Sequence, residues 1–233
     1  TADALSGPWT PRGIFAPKGT LTWNSQTTFV LPVVGSETTT FIFMGDRWAH
    51  PLQHSAATYV WQPLQFDADG KMSLPEFHQS WRIDTRTGRW SPAELTGTRI
   101  DLRDTARARW SAGWQAHTDA NGLSDVRSNL KGSSLTIPFT GSQIALYGVA
   151  RADGGFGRVQ IKDDHGNVVL DTIIETYCLY TEASLKFLSP KLKPGDYTLT
   201  LTVLGEHFFW QAKRAAFGST DDYVSVQKIL LVK

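Results

Sequence analysis

The chain has 233 residues, 41% of them hydrophobic, with 23 basic and 22 acidic side chains for a net charge of +1. That size fits one large or two ordinary domains, and the apolar fraction argues against disorder. The balanced charge gives no electrostatic reason to expect nucleic acid or an anionic membrane as partner, and no apolar run approaches the ~20 residues that span a bilayer. The single cysteine, Cys178, excludes an internal disulfide framework and a cysteine-based zinc site, and reads as a small buried hydrophobe. Nine tryptophans are many for this length, and tryptophan serves both cores and sugar-stacking surfaces. The sequence opens at Thr1 with neither Met nor signal peptide, as a processed or truncated product would.

Helical periodicity is almost absent, and the best helical candidate is short, at residues 211–216. Strands are predicted at 27–33, 40–46, 58–66 and 77–83, with the first reading as a buried strand. Their separators, "VGSE", "AHPLQHSA" and "DADGKMSLP", carry turn chemistry. Four such antiparallel strands in succession match one blade of a propeller. A hinge is expected across "DTRTGRWSPAELTGTRIDLRDT", with the domains at 1–98 and 99–233.

The second part is denser in strands. Leu135, Ile137 and Phe139 alternate with polar neighbours, as do Tyr197, Leu199, Leu201 and Val203, so each strand has one face on a core. Further strands are predicted at 143–150, 156–162, 167–174, 184–188 and 223–232, which argues for an antiparallel sandwich or jelly roll. "DADGK" starts like a calcium loop, but its twelfth position from Asp67 is His78 rather than Glu, so it reads as a hairpin turn. "GGFG" (154–157) is too short for a phosphate loop and also reads as a hairpin. His50 and His54 are four apart, but Pro51 argues against one helical face, and no metal or cofactor is expected.

Four motifs in the first part, "TADALSGPWTPRG", "WNSQTTFVLPV", "FIFMGDRW" and "YVWQPLQF", stand in the order and spacing of a known family. Residues 1 to about 90 resemble the end of a glycoside hydrolase family 43 catalytic domain, in particular its exo-1,3-β-galactanase branch. The resemblance implies a five-bladed β-propeller, of which 23–83 would be the last blade. It further implies that the first three blades and an acidic general acid lie upstream of Thr1. Gln26 would then lie in the active site, where it orients a water, bonds sugar hydroxyls or acts through its imidic form; an amide is a poor ordinary base. The residues by themselves leave open that Gln26 merely closes a turn.

Asn24, Ser25, Asp46, Arg47, Trp48 and Trp61 are the accompanying substrate-binding candidates. Asp46 and Arg47 read equally as a loop-ordering pair, and the tryptophans as core. The second part resembles the β-sandwich modules appended to polysaccharide-degrading enzymes. Its sugar-binding candidates are Trp110, Trp114, His117, Tyr177, Tyr180, Trp210 and Asp222, against a purely supporting sandwich. The implied whole is an all-β chain, a partial β-propeller followed by an antiparallel sandwich, from a secreted or periplasmic inverting enzyme. Its substrate would be β-1,3-galactan or another plant polysaccharide, and the missing blades would be a partner if they sit on another polypeptide. The alternative is a non-catalytic carbohydrate-binding or scaffolding protein.

Overall fold

A computed structural model describes residues 1–49, 58–212 and 214–233. The chain is all-β and divides into two compact units, Thr1–Arg47 with Tyr59–Glu94, and Trp48–Thr58 with Leu95–Lys233. Positions 50–57, including His50 and His54, lie outside the described residues. Among the described residues no helix is long and apolar enough to cross a membrane.

The first unit is a propeller-type meander. Strands Gln26–Val34, Thr39–Asp46 and Tyr59–Pro63 form one antiparallel sheet in that order. One side of it packs Phe43 and Val60 with Trp23, Leu64 and Leu74 into a small core. The first strand is not buried as its composition suggests: Phe29 is 58% and Val34 73% exposed. Among the described residues it pairs on one side only, and Pro32, which has no N–H to donate, is at home on such an edge.

The predicted fourth strand also differs. Trp81–Ile83 pairs with Trp90–Pro92 in a separate hairpin, so the region read as a hinge carries structure. This segment joins the main sheet through side chains. The Gln62 amide donates to the His78 carbonyl at 3.0 Å and accepts from the His78 N–H at 2.8 Å, replacing a rung of backbone ladder. Trp81 Nε1 donates to the Trp61 carbonyl. The hairpin tip meets the 35–38 turn so closely that a Cβ on Gly88 would stand 2.0 Å from the Thr38 carbonyl oxygen. Gly88 also has φ +76°, so glycine is required there twice over.

The second unit is an antiparallel sandwich. Five strands run in the order Val168–Glu175, Phe156–Asp163, Gly195–Val203, Ser134–Gly141, Arg109–Trp110. Four more run Glu182–Leu188, Ile144–Ala150, Lys228–Val232, Gly97–Arg99. A smaller sheet joins Gln115–Thr118, Ser124–Ser128 and Val224–Val226. The predicted boundary at 98/99 would cut the strand Gly97–Arg99, which hydrogen-bonds to Lys228–Val232.

Period-two alternation explains the core. Leu135 faces Leu201 and Ile137 faces Leu199 across one strand pair, while Val159 and Ile161 face the same leucines across the next. All six are fully buried. Leu201→Ala is therefore expected to cost about 3 kcal/mol, the middle of the range for a buried leucine whose site collapses incompletely. Denaturant melts check it, and a loss below about 1 kcal/mol would place Leu201 outside the energetic core.

Three local readings are corrected. Phe209–Gln211 pairs with Ala216–Gly218 as antiparallel strands where a short helix was expected. The last predicted strand breaks at Gln227, its halves Val224–Val226 and Lys228–Val232 serving different sheets. "GGFG" is not a hairpin but a crossing between sheets: Ile144–Ala150 lies in one and Phe156–Asp163 in the other. The glycines allow backbones to touch there, since a Cβ on Gly154 would stand 1.9 Å from the Thr176 carbonyl oxygen. "DADGK", by contrast, is the tip of a hairpin, with Asp67 Oδ1 accepting from the Asp69 and Lys71 amides. Cys178 is buried.

Candidate functional site

A polar triplet, Asn24, Ser25 and Gln26, leads into the apolar run of the first strand by way of an unusual turn. Leu21, Thr22, Trp23 and Asn24 all have positive φ, between 49° and 58°. Successive non-glycine residues in the left-handed region are rare, at a cost of about 1–2 kcal/mol each. Local bonds offset the cost. The Asn24 amide donates to the Thr20 carbonyl, the Ser25 amide to Leu21, and Ser25 Oγ to the Thr22 carbonyl at 2.6 Å. Arg47 closes the device. Its guanidinium donates twice to the Trp23 carbonyl, at 3.0 and 2.8 Å, while the Trp23 ring anchors in the core.

A β-bulge then sets the facing of Gln26. The register shifts between Thr27 and Phe29, and Thr28 Oγ1 ties to the Met44 carbonyl. Without the extra residue Thr27 would stand opposite Asp46; with it, Gln26 does. Asp46 in turn faces Tyr59 on the third strand. Directly opposed residues project to the same face, so Gln26, Asp46 and Tyr59 form one row. Trp61, two residues on, extends that face, its ring 5.6 Å from Tyr59. Gln26 and Tyr59 are exposed and Asp46 is half-buried. The row offers an amide and a carboxylate for hydrogen bonds and two aromatic surfaces for apolar contact.

The other candidates fall differently. Asn24 and Ser25 are half-buried members of the turn. Arg47 is buried, and its Nε and Nη2 both donate to the Trp23 carbonyl. Trp48 packs with the second unit, its ring 6.2 Å from Trp210, and Ala49 is buried among Phe156, Tyr177 and Phe208.

Within the sandwich, Trp110 and Trp114 meet edge to face at 4.9 Å. Both indole N–H groups donate to backbone carbonyls, of Leu102 and Ser134, and both rings pack on the main core. They are structural rather than a platform. Tyr177 is buried on Phe208, and burial, then neighbouring Cys178 and Glu175, pushes its phenol pKa above the ordinary value. Tyr180 is half-buried.

Asp222 does stand among polar groups. His207 Nδ1 lies 2.6 Å from its Oδ1. The residues flanking it in the chain are also engaged: Asn129 donates to Asp221, and the Arg127 guanidinium, which donates to Asp153, lies 4.1 Å over the Tyr223 ring. His117 belongs elsewhere, to a buried network with Asp125, Arg151 and Ser225. Among the described residues, no group of three or more His, Cys, Asp or Glu could hold a metal ion.

Tyr59, His207 and Arg127 were not anticipated from sequence. Tyr59 had a signal, its alternation with Trp61; the other two meet partners far along the chain.

No family model matches the sequence, and no curated protein does. Among solved structures, the chain is similar to an exo-β-1,3-galactanase variant from Phanerochaete chrysosporium holding β-1,3-galactotriose, at 23% identity and TM-score 0.52, covering 98% of this chain and 49% of that one. A second variant with the same ligand matches at 23% and TM-score 0.50, over the same shares. A family 6 carbohydrate-binding module from a Zobellia galactanivorans laminarinase matches at 16% identity and TM-score 0.33, over 59% of this chain and 100% of the module. The chain thus spans about half the length of the galactanase structures, and what it shares with them is a fold: propeller-type strands followed by a β-sandwich.

Proposed function

We propose that this chain is part of an inverting, exo-acting glycoside hydrolase for β-1,3-galactan, carrying the last propeller blade and a sandwich module. The row of Gln26, Asp46 and Tyr59 carries the reading: a bulge and a left-handed turn are both spent on aiming one amide beside one carboxylate. The fold likeness over 98% of the chain supports it. In an inverting hydrolase an acid protonates the leaving oxygen while a second group prepares water on the opposite face of the sugar. Gln26 holds that water through its amide, Asp46 polarises the row beside it, and Tyr59 and Trp61 offer surfaces to the sugar. The general acid comes from a blade outside these residues, and the enzyme acts outside the cell on plant polysaccharide.

By this reading the chain alone releases no measurable galactose from β-1,3-galactan, and hydrolysis with inversion appears once the remaining blades are supplied, in cis or as a partner chain. Galactose release by the homogeneous chain would sink it. The rival reading, a non-catalytic carbohydrate-binding module, is favoured by two polar pairs joined through adjacent residues, His207 with Asp222 and Arg127 with Tyr223. Calorimetric titration with galactose separates the two. Binding abolished by Asp222→Ala, with no hydrolysis in the assembled protein, would favour the module alone.

A further inference from the structure

Arg47 is placed oddly for a surface arginine at a strand end. It is buried, and both its Nε and its Nη2 reach one acceptor, the Trp23 carbonyl. That carbonyl lies inside the run of four left-handed residues, Leu21–Asn24. The run ends two residues before Gln26, and Arg47 follows directly on Asp46, the residue opposite Gln26. A single side chain thus links the strand carrying the carboxylate to the turn that delivers the amide.

The geometry fixes why arginine is used. A left-handed turn of L-residues relaxes unless its carbonyls are held. One charged fork with two N–H groups on one oxygen fixes direction as well as distance, which an ammonium on a flexible stem does not. Neighbouring contacts are tight as well: a Cβ on Gly45, which faces Thr27, would stand 2.7 Å from the Phe43 ring and 2.8 Å from Ser25 Oγ, so the turn and the core beside it are closely packed.

We infer that Arg47 is a positioning residue for Gln26, which holds the left-handed turn in register so that the Gln26 amide meets the sugar or its attacking water. The inference rests on the glycosidase reading for its kinetic consequence, but not for its structural one. The role assigned to Arg47 is on the turn rather than on the sugar.

The test has two arms. On the chain itself, backbone chemical shifts of labelled protein report the sign of φ. Arg47→Met, which keeps the aliphatic stem, is expected to release Leu21–Asn24 to negative φ while the shifts of Phe43, Val60 and Leu74 stay in place. Retention of positive φ would overturn the inference. In the propeller completed by the remaining blades, Arg47→Met is expected to lower kcat about 10- to 100-fold with KM little changed, since small misplacement of a reacting group costs on that order. Arg47→Lys recovers part of the loss.

The deciding comparison is the double variant. Gln26→Ala with Arg47→Met is expected to be no slower than Gln26→Ala alone, because a residue acting only through Gln26 has nothing left to position. Multiplicative losses, or an unchanged kcat in Arg47→Met, would overturn the inference. Should Arg47→Met fail to fold, Arg47→Lys, which keeps the charge but loses the planar fork, must show the same non-additivity with Gln26→Ala. If Gln26→Ala by itself leaves kcat intact, the glycosidase reading fails, and the chemical shifts still judge the clamp.

Discussion

Gln26→Ala, made in a propeller completed by the remaining blades, loses at least ~100-fold in kcat with little change in melting temperature; a group that handles the reacting water contributes on that scale. The stability clause follows from position. Gln26 is exposed at the end of an edge strand, and the turn before it is held by Ser25, Asn24 and Arg47 through other atoms. Removing the amide therefore leaves the fold's bonds in place and takes away only what faces Asp46. A turn-closing glutamine would behave oppositely, lowering the melting point and sparing kcat. Paired kinetics and thermal melts of the two proteins decide between them, and wild-type turnover with a lowered melting point would remove Gln26 from the site.

The sandwich core was legible because period-two alternation is a local signal. Leu135, Ile137, Phe139, Leu199 and Leu201 could be assigned to an inner face from spacing alone. The first strand was misjudged because the same apolar residues suit a buried strand and an edge, and only Pro32 marked the difference. The strand pair Phe209–Gln211 and Ala216–Gly218 resembled a helix because six residues are too few to show a period. At the site, the motif "WNSQ" pointed to Gln26, but nothing in it announced positive φ at four consecutive residues. That conformation is imposed from a distance, by the Trp23 ring in the core and by Arg47. Asp46 and Arg47 were read as one pair, yet neighbours on a strand point to opposite faces. One joins the row with Gln26, and the other serves the backbone behind it.

The other large effect belongs to a network invisible in sequence. Asp125 is fully buried as a side chain and holds three partners. Arg151 donates to both its oxygens at 3.0 Å, Ser225 Oγ donates to Oδ2, and His117 Nδ1 lies 3.2 Å from Oδ1. Ser225 stands 100 residues from Asp125, and its Oγ also accepts the Val149 amide. The network therefore joins the small sheet, which carries Asp125 and Ser225, to the Ile144–Ala150 strand of its neighbour. Arg151 is itself short of partners, its Nε lacking a hydrogen bond and Asp119 only approaching at 3.7 Å. Truncating it should strand a buried carboxylate with one hydroxyl and one imidazole for company. Arg151→Ala is expected to cost about 3–5 kcal/mol, the range for breaking a buried ion pair from one side. Replacing both partners, Asp125→Leu with Arg151→Met, removes the charge together with its need for a partner, and should recover much of that loss. Urea melts of the single and double variants separate the two explanations. A double variant as unstable as Arg151→Ala would mean that the network holds the sheets together by its own bonds, not that an unpaired charge is what the sandwich cannot tolerate.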